Sequence, residues 1–145
     1  MKLNIRHATY RDAPAIRLLL ETLGYKTSIS LLISQIENLF GQNDHQVFVC
    51  ELNNNVAGFI SVHYMPQLAF NGELVFISYL SVDESEKNQG IAKSLEEYVS
   101  LQAAKRKCDR IQVHCSDGRT PEHKFYEQQG YQEYPKYYTK RLIYG

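Results

Sequence analysis

A change of hydrophobic period in the middle of the chain constrains its fold more than any other feature. Residues 73–82 have the apolar pattern of a strand, and after Gly90 the apolar residues recur at helical spacing until about Lys107. Residues 111–115 then return to strand spacing. A strand, a helix and a second strand of this kind form a βαβ unit, whose two strands pair in parallel after the crossover. The sequence therefore predicts a mixed α/β fold.

Five further elements are predicted from the first half of the chain. Residues 2–7 form a short strand, and two amphipathic helices follow that end near Gly24 and Gly41. Strands over 46–52 and 56–64 flank an asparagine-rich turn as a hairpin. Together with the strand at 73–82, this hairpin predicts an antiparallel meander.

The last part of the chain predicts one helix and two strands. Thr120-Pro121 begins a fourth helix that Gly130 ends, and the tyrosine-rich residues 131–144 favour two final strands. We therefore expect one domain over residues 1–145, with about four helices and a mixed, mostly antiparallel sheet of six to seven strands.

Composition excludes several classes of protein. Sixteen basic residues balance sixteen acidic ones, so no net charge attracts nucleic acid or an anionic membrane. The longest apolar runs have four residues, far fewer than the ~20 that span a bilayer. The first residues lack the apolar core of a signal peptide, which favours a cytoplasmic protein.

The cysteines and histidines indicate neither disulfides nor a metal site. Three cysteines without a Cys-x-x-Cys spacing fit neither a disulfide framework nor a zinc knuckle. His7, His45 and His63 are isolated and lack the spacing of metal ligands, which favours histidines at surface or strand positions. We expect no metal.

The segment 80–94 combines a strand end, a polar loop and the start of a long helix. The first amides of a helix lack intrahelical partners and favour an anion such as phosphate. Gly90 and Ala92 let a pyrophosphate approach the backbone, and Lys87 and Lys93 can add charge-assisted contacts. The alternative is a loop glycine before a surface helix. The single glycine excludes a Walker loop and a Rossmann loop.

Two segments resemble motifs of the GNAT superfamily of N-acetyltransferases. Residues 87–92, Lys-Asn-Gln-Gly-Ile-Ala, resemble the pyrophosphate loop Arg/Gln-x-x-Gly-x-Gly/Ala of that family, with lysine in the first position. Residues 125–131, Phe-Tyr-Glu-Gln-Gln-Gly-Tyr, resemble its Phe-Tyr-x-x-x-Gly-Phe/Tyr segment. The resemblance covers almost the whole chain and is strongest from Leu80 to Tyr131.

The resemblance implies a sheet that is splayed between strands four and five, where the pantetheine arm of acetyl-CoA lies. It implies hydrogen bonds from that arm to the backbone of strand four and an amide near Leu80 that stabilises an oxyanion. The residues that we expect to bind acetyl-CoA are Leu80, Val82, Lys87, Asn88, Gln89, Gly90, Ile91, Ala92 and Lys93.

Tyr126 matches the position where many family members hold a tyrosine beside the CoA sulfur. A phenol, with a reference pKa of about 10, can protonate the departing thiolate. The alternative is a core aromatic on an amphipathic helix, which is a common role in a chain with eleven tyrosines.

The general base is less clearly indicated than the acid. Family members often hold a glutamate six residues before the valine that matches Val82, and this chain has Phe76 there. Glu73 is a candidate base, although a charge at a strand end is its alternative. The other candidates, which can relay a proton through water, are Ser78, His114 and Asp117. A free amine with a lowered pKa needs no strong base.

The resemblance thus implies an N-acetyltransferase that moves an acetyl group from acetyl-CoA to a primary amine of a small molecule or a protein, by direct attack in a ternary complex. The alternative is an acyl-CoA-binding module without turnover. We expect neither nucleic-acid nor membrane partners, and a homodimer is left open.

Overall fold

A five-stranded sheet in the order β1-β2-β3-β4-β5 is the main feature of the computed structural model. The model describes residues 3–39, 41–115, 120–134 and 137–143, without the side chains of Asn88 and Thr120. The chain divides into two compact units, Met1–His114 and Cys115–Gly145. We call them the sheet unit and the C-terminal unit and describe each by itself. The expectation of one domain over the whole chain stays a prediction.

The elements lie close to the predicted positions. The strands are β1 (Leu3–His7), β2 (His45–Leu52), β3 (Asn55–Met65), β4 (Leu74–Val82) and β5 (Arg110–Val113). The helices are α1 (Ala13–Thr22), α2 (Ile29–Leu39), α3 (Ile91–Lys105) and α4 (Thr120–Gln128), with short 3-10 helices at Tyr10–Asp12 and Glu84–Gln89. The mixed α/β class and the four helices are thereby confirmed.

The pairing of the strands agrees with the predicted βαβ unit. Strands β1 to β4 form an antiparallel meander, while β4 and β5 pair in parallel. The connection between β4 and β5 contains α3, as a parallel crossover requires.

The expected number of six to seven strands is wrong. The described residues form five strands, and residues 131–134 and 137–143 are in neither helix nor strand. Tyrosine favours strands through packing against neighbouring side chains, so its preference does not create a strand by itself. Tyr138 is 91% exposed and lacks the buried face that such packing needs.

Helices cover both faces of the sheet. On one face, buried residues of α1 and α2 form a core with Val49 and Phe59, and the Ser81 hydroxyl donates a hydrogen bond of 2.8 Å to the carbonyl of Leu19 in α1. On the other face, α3 lies so close to β3 that a Cβ on Gly58 would come within 2.8 Å of Ile91. Within the described part of the chain, every helix is too short or too polar to cross a membrane.

Candidate active site

Strands β4 and β5 pair over only part of the length of β4. Their ladder runs from Leu74 opposite Arg110 to Ile77 opposite Val113, whereas β4 continues to Val82. We call the point just after Ile77 and Val113 the fork. The short ladder is consistent with the predicted splay between strands four and five. Beyond the fork, this edge of β4 has no partner strand among the described residues.

A β-bulge lies at the fork. Ser61 of β3 pairs with Tyr79, and the next residue, Val62, pairs with Ile77, so Ser78 is the extra residue of β4. A bulge of one residue shifts the alternation of the strand that contains it.

The bulge turns the backbone of Leu80 and Val82 toward the open edge. Before the bulge, the carbonyl of Glu73 accepts a hydrogen bond of 2.8 Å from Asp109 on the β5 side. After it, the amide of Asp83 donates a hydrogen bond of 2.7 Å to Ala57 on the β3 side. The backbone groups of successive residues alternate between the two edges of a regular strand. Glu73 and Asp83 are both odd-numbered and yet face opposite edges, because one residue is inserted between them. Leu80 and Val82 therefore face away from β3.

The loop between β4 and α3 begins with a capped 3-10 helix. The Asp83 carboxylate accepts hydrogen bonds from the amide and the hydroxyl of Ser85, at 3.0 and 2.8 Å. These bonds lower the pKa of Asp83. The cap holds the polar loop in one defined turn before α3.

Gly90 joins this turn to α3. Its φ of +74° lies in the left-handed region that favours glycine, and among the described residues, its two chain neighbours aside, no heavy atom lies within 4 Å of the position of a Cβ. The first helical hydrogen bond runs from the amide of Ser94 to the carbonyl of Gly90, at 3.0 Å. The amides that precede Ser94 in α3 therefore lack helical hydrogen-bond partners and lie beside the open space at Gly90. This arrangement suits an anion.

Lys87 of the loop and Lys93 in the first turn of α3 both have acidic neighbours. Lys87 lies 3.0 Å from Glu84, and Lys93 lies 3.9 Å from Glu97. All four side chains are exposed, and such pairs are weak enough to give way to a phosphate. Gln89 is half-buried beside Gly90.

A hydrogen-bonded group of serines and histidines lies at the fork. The Ser78 hydroxyl is 3.0 Å from the Ser61 hydroxyl and 3.2 Å from Nε2 of His63. The Ser61 hydroxyl is in turn 2.9 Å from Nε2 of His45. We call Ser78, Ser61, His63 and His45 the fork network. The two imidazole rings stack with their centroids 3.9 Å apart.

The imidazoles of the fork network favour their neutral form. Burial and the nearby His63 lower the pKa of His45 to about 4, against a smaller opposite effect of Asp44. Burial also lowers the pKa of His63, and Asp44 partly opposes this shift. Neutral imidazoles can accept protons at neutral pH.

Phe76 places its ring between two histidines. Its centroid is 6.4 Å from that of His63 and 4.9 Å from that of His114, which follows β5. The residue in the usual position of the family's glutamate therefore packs against imidazoles and cannot itself accept a proton.

Glu73 lies just before β4 and binds the end of α3. Its carboxylate accepts hydrogen bonds of 2.6 and 3.2 Å from the guanidinium of Arg106. Arg106 also donates to the carbonyl of Asn43 and lies over the ring of Tyr64 at 3.9 Å. The carboxylate thus joins α3 to the beginning of β4, and its role as a base stays a prediction.

Tyr126 lies on α4 in the C-terminal unit. Its side chain is buried, and its ring contacts Phe125 and Tyr131 with centroids 5.1 and 5.4 Å apart. The aromatic contacts agree with the alternative of a core residue, and its role as an acid stays a prediction. Asp117, another candidate from the sequence, lies outside the described residues.

Comparison with protein-family models identifies the chain. The model of the acetyltransferase (GNAT) family matches residues 8–131. The chain belongs to the GNAT acetyltransferase family. No curated protein matches this GNAT chain significantly.

Solved structures share the fold of this GNAT chain at low sequence identity. An aminoglycoside acetyltransferase, meta-AAC0020 from an uncultured soil metagenomic sample, superposes with a TM-score of 0.81 at 23% identity, covering 97% of each chain. A ribosomal-protein-alanine N-acetyltransferase from Brucella melitensis biovar Abortus 2308 has a TM-score of 0.79 at 18% identity, covering 98% of this chain and 100% of its own. AAC(6')-Iy, in complex with the bisubstrate analog CoA-S-monomethyl-acetylneamine, has a TM-score of 0.81 at 20% identity, covering 98% of this chain and 100% of its own.

Sequence reasoning missed the fork network, apart from naming Ser78 as one possible relay. His45 and His63 are far apart in the chain and were assigned to surface or strand positions. A signal existed in the polar residues Ser61 and His63, which share a face of an otherwise apolar strand. In the described residues, no group of three or more His, Cys, Asp or Glu side chains is arranged to hold a metal ion.

Proposed function

We propose that this GNAT protein is an N-acetyltransferase that moves an acetyl group from acetyl-CoA to a primary amine. The observation that carries the proposal is the open edge of β4 beyond the fork, which leads directly into the loop at Gly90. A strand edge with unpaired amides and carbonyls suits an amide-rich arm, and a helix start suits a pyrophosphate.

The chain offers contacts for the pantetheine arm and the pyrophosphate of acetyl-CoA, which supplies an activated thioester when bound. Leu80 and Val82 would hold the pantetheine arm through their backbone groups, and the amide of Leu80 would stabilise the oxyanion. The residues that would hold the pyrophosphate are Lys87, Asn88, Gln89, Gly90, Ile91, Ala92 and Lys93. Gly90 supports this assignment because the space beside it is open.

Acid and base roles complete the proposed mechanism. The Tyr126 hydroxyl would protonate the departing thiolate, which matches the family position that this tyrosine occupies. Glu73 remains a candidate base, although its bidentate pair with Arg106 favours a structural role. The acceptor amine would attack directly within a ternary complex, so the protein mainly has to orient two reactants.

The acceptor is proposed as a class only. The structures of similar fold include an aminoglycoside acetyltransferase and a ribosomal-protein-alanine N-acetyltransferase. A small-molecule amine and a protein amino group are therefore both proposed acceptors.

A second candidate function is an acyl-CoA-binding module without turnover. Phe76 in the usual position of the family's glutamate favours it, because a phenyl ring cannot accept a proton.

Steady-state release of CoA separates the two functions. The assay offers acetyl-CoA with polyamines, amino acids, aminoglycosides and peptides with free N-termini, and it measures free thiol. An N-acetyltransferase releases CoA with at least one of these amines well above the rate without amine. Binding of CoA together with release at the background rate for every amine would favour the binding module.

A further inference from the structure

We propose that Ser78 and His63 form a relay that takes the proton from the acceptor amine at the fork. This inference rests on the proposed acetyltransferase function and assigns the base that the function needs. In it, the Ser78 hydroxyl contacts the amine and His63 accepts the proton, whereas Ser61 and His45 are positioning residues.

The location of Ser78 is the first support. It is the bulged residue at the fork, and the two residues whose backbone we assign to acetyl-CoA, Leu80 and Val82, follow it on the same strand. A serine there lies next to the place where an acyl group and an amine have to meet. Ser78 is only partly buried, as the approach of an amine to its hydroxyl requires.

The hydrogen bonds of the fork network allow a proton order that serves the relay. The Ser61 hydroxyl can donate to Nε2 of His45 at 2.9 Å, which leaves the Ser61 oxygen able to accept from the Ser78 hydroxyl at 3.0 Å. The Ser78 hydroxyl proton has three acceptors in reach, the Ser61 hydroxyl at 3.0 Å, the Ser61 carbonyl at 3.1 Å and Nε2 of His63 at 3.2 Å, and the relay uses the third. This order uses each proton once and leaves a lone pair of the Ser78 oxygen for the proton of an amine.

The surroundings of His63 keep its imidazole available as a base. The titratable groups next to His63 are His45 of β2, whose ring stacks on it, and Asp44, which precedes β2. His114, just after the end of β5, contacts the ring of Phe76. Burial lowers the pKa of His63 more than Asp44 raises it. The ring is therefore neutral at pH 7 and can accept a proton.

The proposed step balances in atoms and electrons. The lone pair of the amine nitrogen forms the bond to the acetyl carbon, and the carbon–sulfur bond breaks with its electron pair going to sulfur. The nitrogen loses one proton to the Ser78 oxygen while the Ser78 hydroxyl proton passes to His63, which later releases it to solvent. The thiolate gains one proton from the acid of the proposed mechanism, so the products are an amide and a thiol.

The test compares variants in the CoA-release assay with the best acceptor of the amine panel. We expect His63→Gln and Ser78→Ala to lower kcat/KM about 100-fold or more, as for the loss of a general base, with CoA affinity unchanged. Ser78→Thr keeps a hydroxyl and should restore much of the rate. His7→Gln is the matched control, because His7 is an exposed histidine on β1 outside the fork network.

A pH profile separates a base from a merely structural histidine. In the wild type, kcat/KM should rise with pH through a limb below 6.5, since His63 has to be deprotonated. The pH profile is measured with two acceptors, a peptide α-amine and a lysine ε-amine, whose reference pKa values are about 8 and about 10.4. The limb due to deprotonation of the acceptor moves between the two profiles. The limb of His63 stays at the same pH for both acceptors and disappears in His63→Gln.

The outcomes distinguish the relay from the function on which it rests. Wild-type turnover with unchanged kcat/KM and an unchanged acidic limb in His63→Gln would overturn the relay and leave the acetyltransferase intact. Absence of turnover in the wild type with every amine, despite CoA binding, would overturn both. Circular dichroism and thermal melting of each variant show whether a lost rate reflects lost folding.

Discussion

At the residue scale, Ser78 has two effects on the candidate site. As the extra residue of a bulge, it turns the backbone groups of Leu80 and Val82 toward the open edge of β4. Its hydroxyl also contacts His63 and Ser61, and Ser61 in turn contacts His45. A single inserted residue thus places the proposed contacts to acetyl-CoA and the proposed relay on one short segment.

Tyr126→Phe tests the proposed acid at the same scale. The substitution keeps the ring that packs against Phe125 and Tyr131 and removes only the hydroxyl. We expect CoA affinity to stay nearly the same and kcat to fall by about 10²–10⁴-fold, the usual contribution of general acid catalysis. The measurement is kcat with the best acceptor, together with CoA affinity for both proteins.

The control for this prediction is Tyr138→Phe, which removes a hydroxyl from a tyrosine that is 91% exposed. An unchanged kcat in Tyr126→Phe would identify Tyr126 as a core aromatic. A parallel loss of affinity and kcat would mean that the hydroxyl holds the cofactor.

At the element scale, an ion pair between the partly exposed Arg6 and the buried Asp12 connects β1 to α1. Asp12, at the start of α1, accepts hydrogen bonds of 2.8 and 2.9 Å from Arg6 of β1 and one of 2.8 Å from the amide of Thr9. Arg6 also donates to Glu51 of β2 at 2.8 Å. Burial raises the pKa of Asp12, but the bonds from Arg6 and Thr9 outweigh it and the net pKa is lowered.

Asp12→Asn should therefore destabilise the fold in a pH-dependent way. A carboxylate with a lowered pKa stabilises the folded state at pH values above its unfolded pKa, and this contribution is lost as the pH falls through its folded pKa. We expect the variant to lose about 1.5–3 kcal/mol of unfolding free energy at pH 7, the range for hydrogen bonds to charged groups. Urea unfolding at several pH values measures the loss, which should shrink at pH values below the reference of 3.8.

Glu21→Gln is the control for Asp12→Asn, because it breaks an exposed pair with Arg17 that is worth at most about 0.5 kcal/mol. Equal losses in the two variants, or a loss in Asp12→Asn that is the same at pH 7 and pH 3, would contradict the role of the Arg6–Asp12 pair.

At the scale of the whole molecule, zero net charge means that an anionic ligand depends on a local site. Desulfo-CoA, which has no thiol, should bind through its pyrophosphate and pantetheine groups. At a concentration of 100 times its Kd, desulfo-CoA should add about 2.7 kcal/mol to the free energy of unfolding and raise Tm by about 5–10 °C. NAD should give no such rise, and a rise with NAD alone would reverse the cofactor assignment.

Gly90→Val makes this prediction specific to the loop. A valine side chain would fill the open space beside Gly90, so the rise with desulfo-CoA should disappear. Gly24→Val is the control, because Gly24 also has a positive φ, +96°, and open space around its Cβ position. Both variants bear similar backbone strain, and only Gly24→Val should keep the rise. An equal rise in both would contradict the proposed pyrophosphate site.

Local patterns predicted most elements of the sheet unit before the structure was known. The period of the apolar residues located α3 and its flanking strands, and the parallel pairing followed because a crossover connection leaves no other choice. The resemblance to the GNAT family was confirmed by the family match. These features depend on residues that are neighbours in the sequence, or on a topological rule.

The long-range pairings were decided by the tertiary structure. A regular hairpin around Asn53-Asn54 would pair His45 with Val62, but a bulge at Ala57 moves the partner to His63. The bulge at Ser78 likewise changes which backbone groups of β4 face the open edge. Because strand side chains alternate with a period of two, a shift of one residue brings a different set of groups together. No local pattern encodes such a shift, since its energy comes from packing against strands and helices distant in the chain.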